Sequence, residues 1–401
     1  MSYSIVQDLE SIEKVKSLWN FKPFDEVIID VTSGNIKVKK EDYQVTGLFP
    51  VVDQGKTLIA GYINEDLTVV KGLDYIIFGD HTRIFKYIDF DFVLGADGVK
   101  LLRPRLDEVD TKFLYYFFQT LTIPNTGYNR HFKYLKDVII PVPSIEEQKY
   151  IVQVLDKAQS LIDKRKQAIA KLDELVQAVF IDMFGDPVSN ERGWEKVKLN
   201  QFILNIDSGW SPVCKAVQAS RNEWGVLKLS AITSGSYIAT ENKALLEDTT
   251  PKPNLEVRKG DLLFVRKNTL ELVGTCAYVF ETPSQLMLPD TIFRFVLKED
   301  CKLNKIFLWQ LLNYSKVKKQ IQRSAGGTAG SMPNISKSKM LNFEVIYPNA
   351  ELQDKFSEIV LHIEQQKNKH SQSLQQLESN FQALLQKAFK GELTVKDGVT
   401  V

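Results

Sequence analysis

A ladder of apolar residues in this chain of 401 residues is repeated 205 positions further on. The first copy reads Ile151, Leu155, Ala158, Ile162, Arg165, Ile169, Leu172, Val176, Val179 and Met183, in steps that alternate between four and three. The second reads Phe356, Val360, Ile363, Lys367, His370, Leu374, Leu377, Phe381, Leu384 and Ala388. An apolar repeat of period seven, sustained over several heptads, describes a helix whose seam has to be buried against another helix. Two such seams in one chain can bury each other. The pattern therefore predicts two long helices, 146–185 and 351–391, packed as an antiparallel coiled coil.

The match extends upstream of each helix. Asn129 pairs with Asn334, Pro143 with Pro348 and Gln148 with Gln353, and each helix is entered from an apolar strand that ends at a proline. Further back the loops differ in length, yet Trp19 to Gly34 spans the same interval as Trp194 to Gly209. The chain is a unit of [variable globular part, long helix] written twice, and such internal repetition governs the reading of everything else. The expected fold class is α+β: two α/β domains in tandem, 1–145 and 186–350, separated by the two helices with pseudo-twofold symmetry, and a tail at 392–401.

Within the first globular part, residues 1–20 read as an amphipathic helix. Short strands are expected at Glu26–Val31, Leu48–Val52, Leu67–Val70, Tyr75–Phe78, Arg83–Ile88 and Phe92–Leu94, with a helix at Asp110–Leu121 and a strand at Lys136–Val142. The second part predicts strands at Lys228–Ile232, Asp261–Lys267, Gly274–Phe280, Ile292–Leu297 and Phe343–Tyr347, and one helix over Leu303–Gln322. Gly185 followed by Pro187 ends the first long helix, since proline cannot continue it.

The chain is 44% apolar, enough for two domain-sized cores. No stretch has the apolar length of a membrane span, and the N-terminal residues are charged where a signal peptide is greasy. Cys214, Cys276 and Cys301 are few, odd in number and without metal-ligand spacing, which argues for a reducing, cytoplasmic setting without disulfides or structural zinc. The overall charge of +1 conceals a distribution: 1–145 carries −3, 146–185 carries −1, 186–350 carries +6 and 351–401 carries −1. A duplex-binding protein ordinarily shows a cationic face, because phosphate contacts supply most of its affinity. If this chain reads DNA, it uses localised contacts or borrows charge from partners.

Catalytic signatures are missing. Gly55-Lys56-Thr57 resembles the end of a phosphate-binding loop, but Pro50 stands where the first glycine belongs, so the segment reads as a hairpin loop. No Pro-Pro dipeptide occurs, which excludes the Asn-Pro-Pro-aromatic signature of adenine methylation. Pro289-Asp290 is followed by no Glu-x-Lys and reads as a strand-entry turn. His81, His131, His362 and His370 lack zinc spacing. The sequence predicts no catalytic residues, no metal and no cofactor of its own.

The segment from Gly127-Tyr128-Asn129-Arg130-His131 through Ile139-Ile140-Pro141-Val142-Pro143 and Glu146-Glu147-Gln148 runs into the heptad helix and the Phe184-Gly185-Asp186-Pro187 linker. With its diverged echo Pro333-Asn334-Ile335-Ser336, it resembles the specificity subunit of type I restriction-modification enzymes. The resemblance spans almost the whole chain. It implies two target-recognition domains, each reading one half of a bipartite, asymmetric site in double-stranded DNA. It also implies docking of two adenine-N6 methyltransferase subunits, which bind S-adenosylmethionine, and of restriction/translocase subunits that use ATP and Mg. Those cofactors belong to the partners. A recognition subunit of a methylation-only system, and a protein-binding assembly scaffold favoured by the acidic first part, stay open as alternatives. Steep loss of DNA binding with added salt separates the DNA readers from the scaffold.

Base discrimination needs forked donors for guanine and amides for adenine, presented from loops on a rigid frame. The candidates are Lys56, His81, Arg83, Asn129, Arg130 and His131 in the first domain, and Lys228, Arg266, Asn268, Arg323, Thr328 and Asn334 in the second. The seam residues expected to bury between the helices are Ile151, Leu155, Ile162, Arg165, Ile169, Leu172 and Val176 against Phe356, Val360, Ile363, His370, Leu374, Leu377 and Phe381. Arg165, Lys367 and His370 interrupt the seam, either to set register or to lay long stems along it. A helix from Ile151 to Met183 is about 50 Å long, a ruler of roughly 15 base pairs of duplex.

Overall fold

The computed structural model describes residues 19–65, 69–71, 74–96, 98–105, 107–127, 129–326 and 332–393. It divides into two compact units, Met1–Gln167 with Gln372–Val401, and Ala168–Ser371. This differs from the sequence division: each unit takes half of each long helix together with one globular part. The cause is packing, because each helix half shares a core with the strands and helices beside it.

In chain order the first unit contains Asn20–Pro23 (β1), Phe24–Val27 (α1), Ile28–Asp30 (β2), Lys37–Val38 (β3), Phe49–Val52 (β4), Gly61–Ile63 (β5), Tyr75–Gly79 (β6), Phe85–Ile88 (β7), Val93–Gly95 (β8), Val99–Pro104 (β9), Thr111–Gln119 (α2), Phe132–Leu135 (α3) and Ile139–Val142 (β10), and it enters the long helix Ile145–Phe184 (α4). An antiparallel sheet runs β2-β9-β6-β7, and a second sheet runs β3-β8-β4-β5, parallel except for the β4–β5 hairpin. β1 pairs with β10 at the foot of α4. Side chains of the first sheet alternate as a pleated strand requires. Ile76, Phe78 and Leu102 join Leu114 and Phe118 of α2, while Ile77, Ile88 and Leu101 join Val52 and Leu94 of the second sheet.

The second unit continues with Glu195–Lys198 (β11), Ile203–Ser208 (β12), Gly225–Leu227 (β13), Asn242–Ala244 (β14), Leu262–Val265 (β15), Cys276–Tyr278 (β16), Leu286–Met287 (β17), Ile292–Leu297 (β18), Lys305–Asn313 (α5), Ser315–Ser324 (α6), Lys337–Leu341 (α7) and Glu344–Tyr347 (β19), and then the long helix Ala350–Phe389 (α8). Its sheets run β12-β18-β15-β16 and β14-β13-β17, with β11 paired to β19. The order follows that of the first unit, with three strands in place of four in the second sheet, no counterpart of α1 and one added helix, α6. The alternation recurs too: Leu262 and Phe264 share a core with Phe307 of α5, and Leu263 and Val265 with Leu227 and Leu286.

Local chemistry corrects several sequence expectations. The Glu26–Val31 strand starts only at Ile28, because Pro23 opens a helical turn over Phe24–Val27. Lys228–Ile232 forms a turn of 3-10 helix that drops Ala231 and Ile232 into the core. The helix over Leu303–Gln322 breaks at Tyr314, which is extended, after Asn313 spends its amide on both main-chain groups of Cys276 at 2.8 and 2.9 Å. β9, a central strand, lies outside every predicted segment. Of the helix read over 1–20, residues 1–18 lie outside the described residues, Trp19 is a buried bend and Asn20 is in β1.

The repeat holds down to single hydrogen bonds. Gln148 is fully buried, donates to the carbonyls of Pro143 and Glu108 at 2.9 Å, and accepts from the Asp110 amide at 2.8 Å. Gln353 is equally buried, donates to Pro348 O at 2.8 Å and accepts from the Asn304 amide at 2.9 Å. Asp110 and Asn304 are the N-caps of α2 and α5, so each glutamine ties the start of a long helix to the start of its neighbour. Gln353→Leu strands the donor and acceptor it served, and such buried unpaired groups cost about 1–3 kcal/mol. Urea unfolding is expected to show a loss of that size; a loss below about 0.5 kcal/mol would mean that the backbone groups find other partners.

In the first unit the N-terminal half of α4 packs on the C-terminal half of α8, through Ile151, Leu155 and Ile162 against Phe381, Leu385 and Ala388, with Leu374 and Leu377 alongside. Lys166 pairs with Glu378 at 2.9 Å. In the second unit the other halves meet: Val176, Phe180 and Phe184 share a core with Phe356, Val360 and Ile363, flanked by Leu172. Ile169, Arg165 and His370 are half-buried. Lys367 reaches Asp173 at 2.6 Å and Glu364 at 2.9 Å, a half-buried cation held between two carboxylates. Gly185 takes a φ of +74° just beyond α4, a helix stop that glycine adopts without strain.

Candidate nucleic-acid interface

In the first unit three loops meet where the central strands end. One is 53–60, between β4 and β5; one is 80–84, the β6–β7 hairpin; the third is 125–131, leading into α3. Thr82 Oγ1 donates to the Gln54 carbonyl at 2.6 Å, and Gln54 Oε1 accepts from the His81 amide at 3.2 Å. The Asp80 carbonyl accepts from the His131 amide at 2.9 Å, and the Asp80 carboxylate accepts from the Phe132 amide at 2.7 Å. Gly79 is needed at this crossing, since a Cβ there would lie 2.0 Å from Thr82 Oγ1 and 2.9 Å from Gln54 Cβ.

This cluster gathers every candidate of the first domain but does not give them one role. Lys56, Asn129 and Arg130 are exposed. The ring of His81 lies 3.2 Å from the Asn129 carbonyl. Arg83 has a φ of +62°, a strained conformation for a residue with a side chain, and its Nη1 donates to the Ile123 carbonyl at 3.3 Å. His131 is corrected. It is 0% exposed, its Nδ1 lies 2.8 Å from the Asp80 carbonyl and its Nε2 3.4 Å from Thr126 Oγ1, so it builds the cluster and reads nothing. Tyr128 lies outside the described residues.

The second unit repeats the crossing with different side chains. The loop after β15 meets the segment before α7, and the Ile335 amide donates to the Arg266 carbonyl at 2.8 Å, as His131 does to Asp80. Asn334 exchanges main-chain bonds with Gly326 at 2.8 and 2.9 Å and accepts from Arg266 Nε at 3.2 Å. The Arg266 guanidinium sits 5.1 Å from the centre of the Phe293 ring, and Lys337 Nζ lies 6.0 Å from the same ring. Lys339 Nζ donates to the Ser324 carbonyl at 2.5 Å. Arg323 is exposed at the end of α6.

In this unit one candidate is corrected, one stays half-exposed beside a carboxylate, and one falls outside the described residues. Asn268 is 7% exposed and its Oδ1 accepts from the Thr269 amide, so it shapes the loop. Lys228 faces Glu241 at 3.6 Å at the base of the β13–β14 connection, where the carboxylate offsets its charge. Thr328 is the third. Sequence reasoning missed Lys337 and Lys339, whose signal was their spacing around the start of a short helix after Asn334. It also missed Lys86, Gln54 and Asp80, which carry no pattern of their own.

Both units thus present a sheet-borne crossing of loops whose backbone is shared and whose exposed polar groups differ. That is the architecture of a duplicated recognition module, in which one scaffold carries two separate surfaces. A family model described as the type I restriction modification DNA specificity domain matches residues 16–174 and again 191–379. The chain belongs to that family and carries its domain twice.

The specificity subunit of the type I restriction enzyme EcoEI from Escherichia coli is 36% identical over 163 residues, 40% of this chain and 27% of that protein, so the chain spans about a quarter of this relative's length. The EcoR124I/EcoR124II specificity subunit, also from Escherichia coli, is 25% identical over 350 residues, 80% of this chain and 81% of that one. The crystal structure of a type I restriction-modification S subunit from M. genitalium superposes with a TM-score of 0.51, covering 92% of this chain and 96% of that one at 17% identity, a likeness of fold. No helix among the described residues is long and apolar enough to cross a membrane.

Proposed function

We propose that this chain is the DNA sequence-recognition subunit of a type I restriction-modification complex. Each loop crossing reads one half of a bipartite, asymmetric duplex site. The long helices and the faces around them hold two adenine-N6 methyltransferase subunits and the restriction subunits. The chain positions and does not react: S-adenosylmethionine, ATP and Mg act on its partners, and extrusion of the target adenine is the methyltransferase's task. The assembly works in the cytoplasm.

The observation that carries this reading is the specificity domain matched twice, over residues 16–174 and 191–379, on two crossings that share a backbone pattern and differ in side chains. Arg266, Lys337 and Arg323 give the second crossing a cationic character, in keeping with the +6 charge of residues 186–350. The first crossing, in an acidic domain, offers Lys56 and Arg130.

The test is long-read sequencing of methylated adenines in cells that express this chain with its neighbouring methyltransferase, beside cells lacking only this chain. A bipartite motif that disappears with the chain is the expected result. An unchanged methylation pattern would overturn the reading in favour of a protein-binding scaffold.

A further inference from the structure

Lys86 stands where a core residue belongs. It lies on β7 opposite Ile77 of β6, on the face that it shares with Ile88 and that meets Val52 and Leu94, and it is 5% exposed. Its Nζ donates to the carbonyls of Asp53 and Thr57, each at 2.6 Å, and lies 3.7 Å from Asp53 Oδ1. Burying an ammonium is costly unless its protons are matched. Here all the matching groups come from one short loop. Burial pushes the ammonium below the usual lysine range, and Asp53 opposes that shift.

The internal repeat supplies a control. In the second unit the corresponding cross-strand pair, on the same face, is Leu263 with Ala277. There the loop after β13 is anchored by Ala231 and Ile232, both 0% exposed. The fold therefore does not call for a lysine at this place; only the first crossing does.

The effect of Lys86 on its loop follows from the bonds. Nζ ties together the two ends of the turn Asp53–Thr57, while the Gln54 carbonyl is held by Thr82 and the Asp53 carboxylate accepts from the Gly55 amide at 2.7 Å. Lys56, Thr57 and Leu58 are left exposed, and Lys56 is the charged group among them. A loop fixed before binding loses less conformational freedom on binding and holds its donors in one orientation.

We infer that Lys86 is a positioning residue for base reading by the first unit: its buried ammonium locks loop 53–60 so that Lys56 meets one part of the first half-site. The inference rests on the proposed function. It assigns to loop 53–60 a share of the first unit's sequence specificity, held in place by a buried lysine that the second unit lacks at the equivalent pair.

The experiment compares the methylated motif directed by the full chain and its methyltransferase in cells for wild type, Lys86→Met, Lys86→Arg and Lys56→Ala. Lys86→Met fills the same space without the donors. It is expected to relax one or two base positions of the first half-site, with discrimination there falling about tenfold, while the second half-site and the spacer stay as they were. Lys56→Ala is expected to relax the same positions, and Lys86→Arg to retain more of the motif than Lys86→Met.

Lower methylation at all sites with an unaltered motif would mark Lys86 as merely structural and overturn the inference. So would an intact motif for Lys56→Ala, an exposed change that leaves the core alone, whether or not Lys86→Met accumulates in cells. Absence of any bipartite motif with the wild-type chain would instead sink the functional reading itself.

Discussion

Phe184→Ala is expected to remove about 3–5 kcal/mol of stability, the range for a large aromatic deleted from a tight core. The residue is 1% exposed at the end of α4, and its ring meets Phe180, Phe307 and Phe356 at centroid distances of 5.1, 4.7 and 5.5 Å, the last two edge-on. Those partners come from both long helices and from α5, so one truncation loosens the join between a helix pair and the sheet-covering helix. The rings that surround Phe184 are themselves held in the buried core and cannot swing freely into the void. For a unit of this size the loss corresponds to a fall of about 10 °C in Tm. Calorimetry of the full chain should show it in the transition of residues 168–371, and a fall of less than about 3 °C would mean that the cluster re-packs.

Exchanging residues 1–143 for the same segment of another family member is expected to replace the whole first half of the methylated motif and leave the second half untouched. The junction after Pro143 keeps α4 and its capping interaction, in which Ser144 Oγ accepts from the Glu147 amide at 3.3 Å. It also keeps Gln148, whose partners at Glu108 and Asp110 would be supplied by the incoming segment. Motif mapping by long-read sequencing reads the outcome directly. A change in both halves would show that the two units do not read independently, and no change would place recognition outside residues 1–143.

How much of this was legible in the sequence depends on the kind of signal. The long helices were, to within a residue or two, because a period of seven sustained over forty-residue helices exceeds any local noise. Ile292–Leu297 was legible because its apolar run is bounded by turn residues. β9 was not: Lys100 and Arg103 interrupt the apolar run of a strand whose place is set by partners far away in sequence, β2 and β6. The corrected candidates show the same limit. His131 and Asn268 were polar residues in loop-like positions, but burial is decided by which loops cross. That depends on contacts such as Asp80 with His131, about fifty residues apart. Lys86 was hidden for the converse reason, a charged residue in a strand that the alternation turns inward.

Phe389 packs on Phe113 and Phe117 of α2, at centroid distances of 5.2 and 5.6 Å. Residues 372–393 therefore complete the core of the unit that the ribosome begins first. Until they emerge, Phe113, Tyr116, Ile151 and Leu155 lack the partners they have in the finished unit, an apolar surface open to wrong associations during synthesis. The intervening residues 168–371 enclose their own core and do not wait. The second module made is thus the earlier one able to close, and the first is sealed only by the return of the chain.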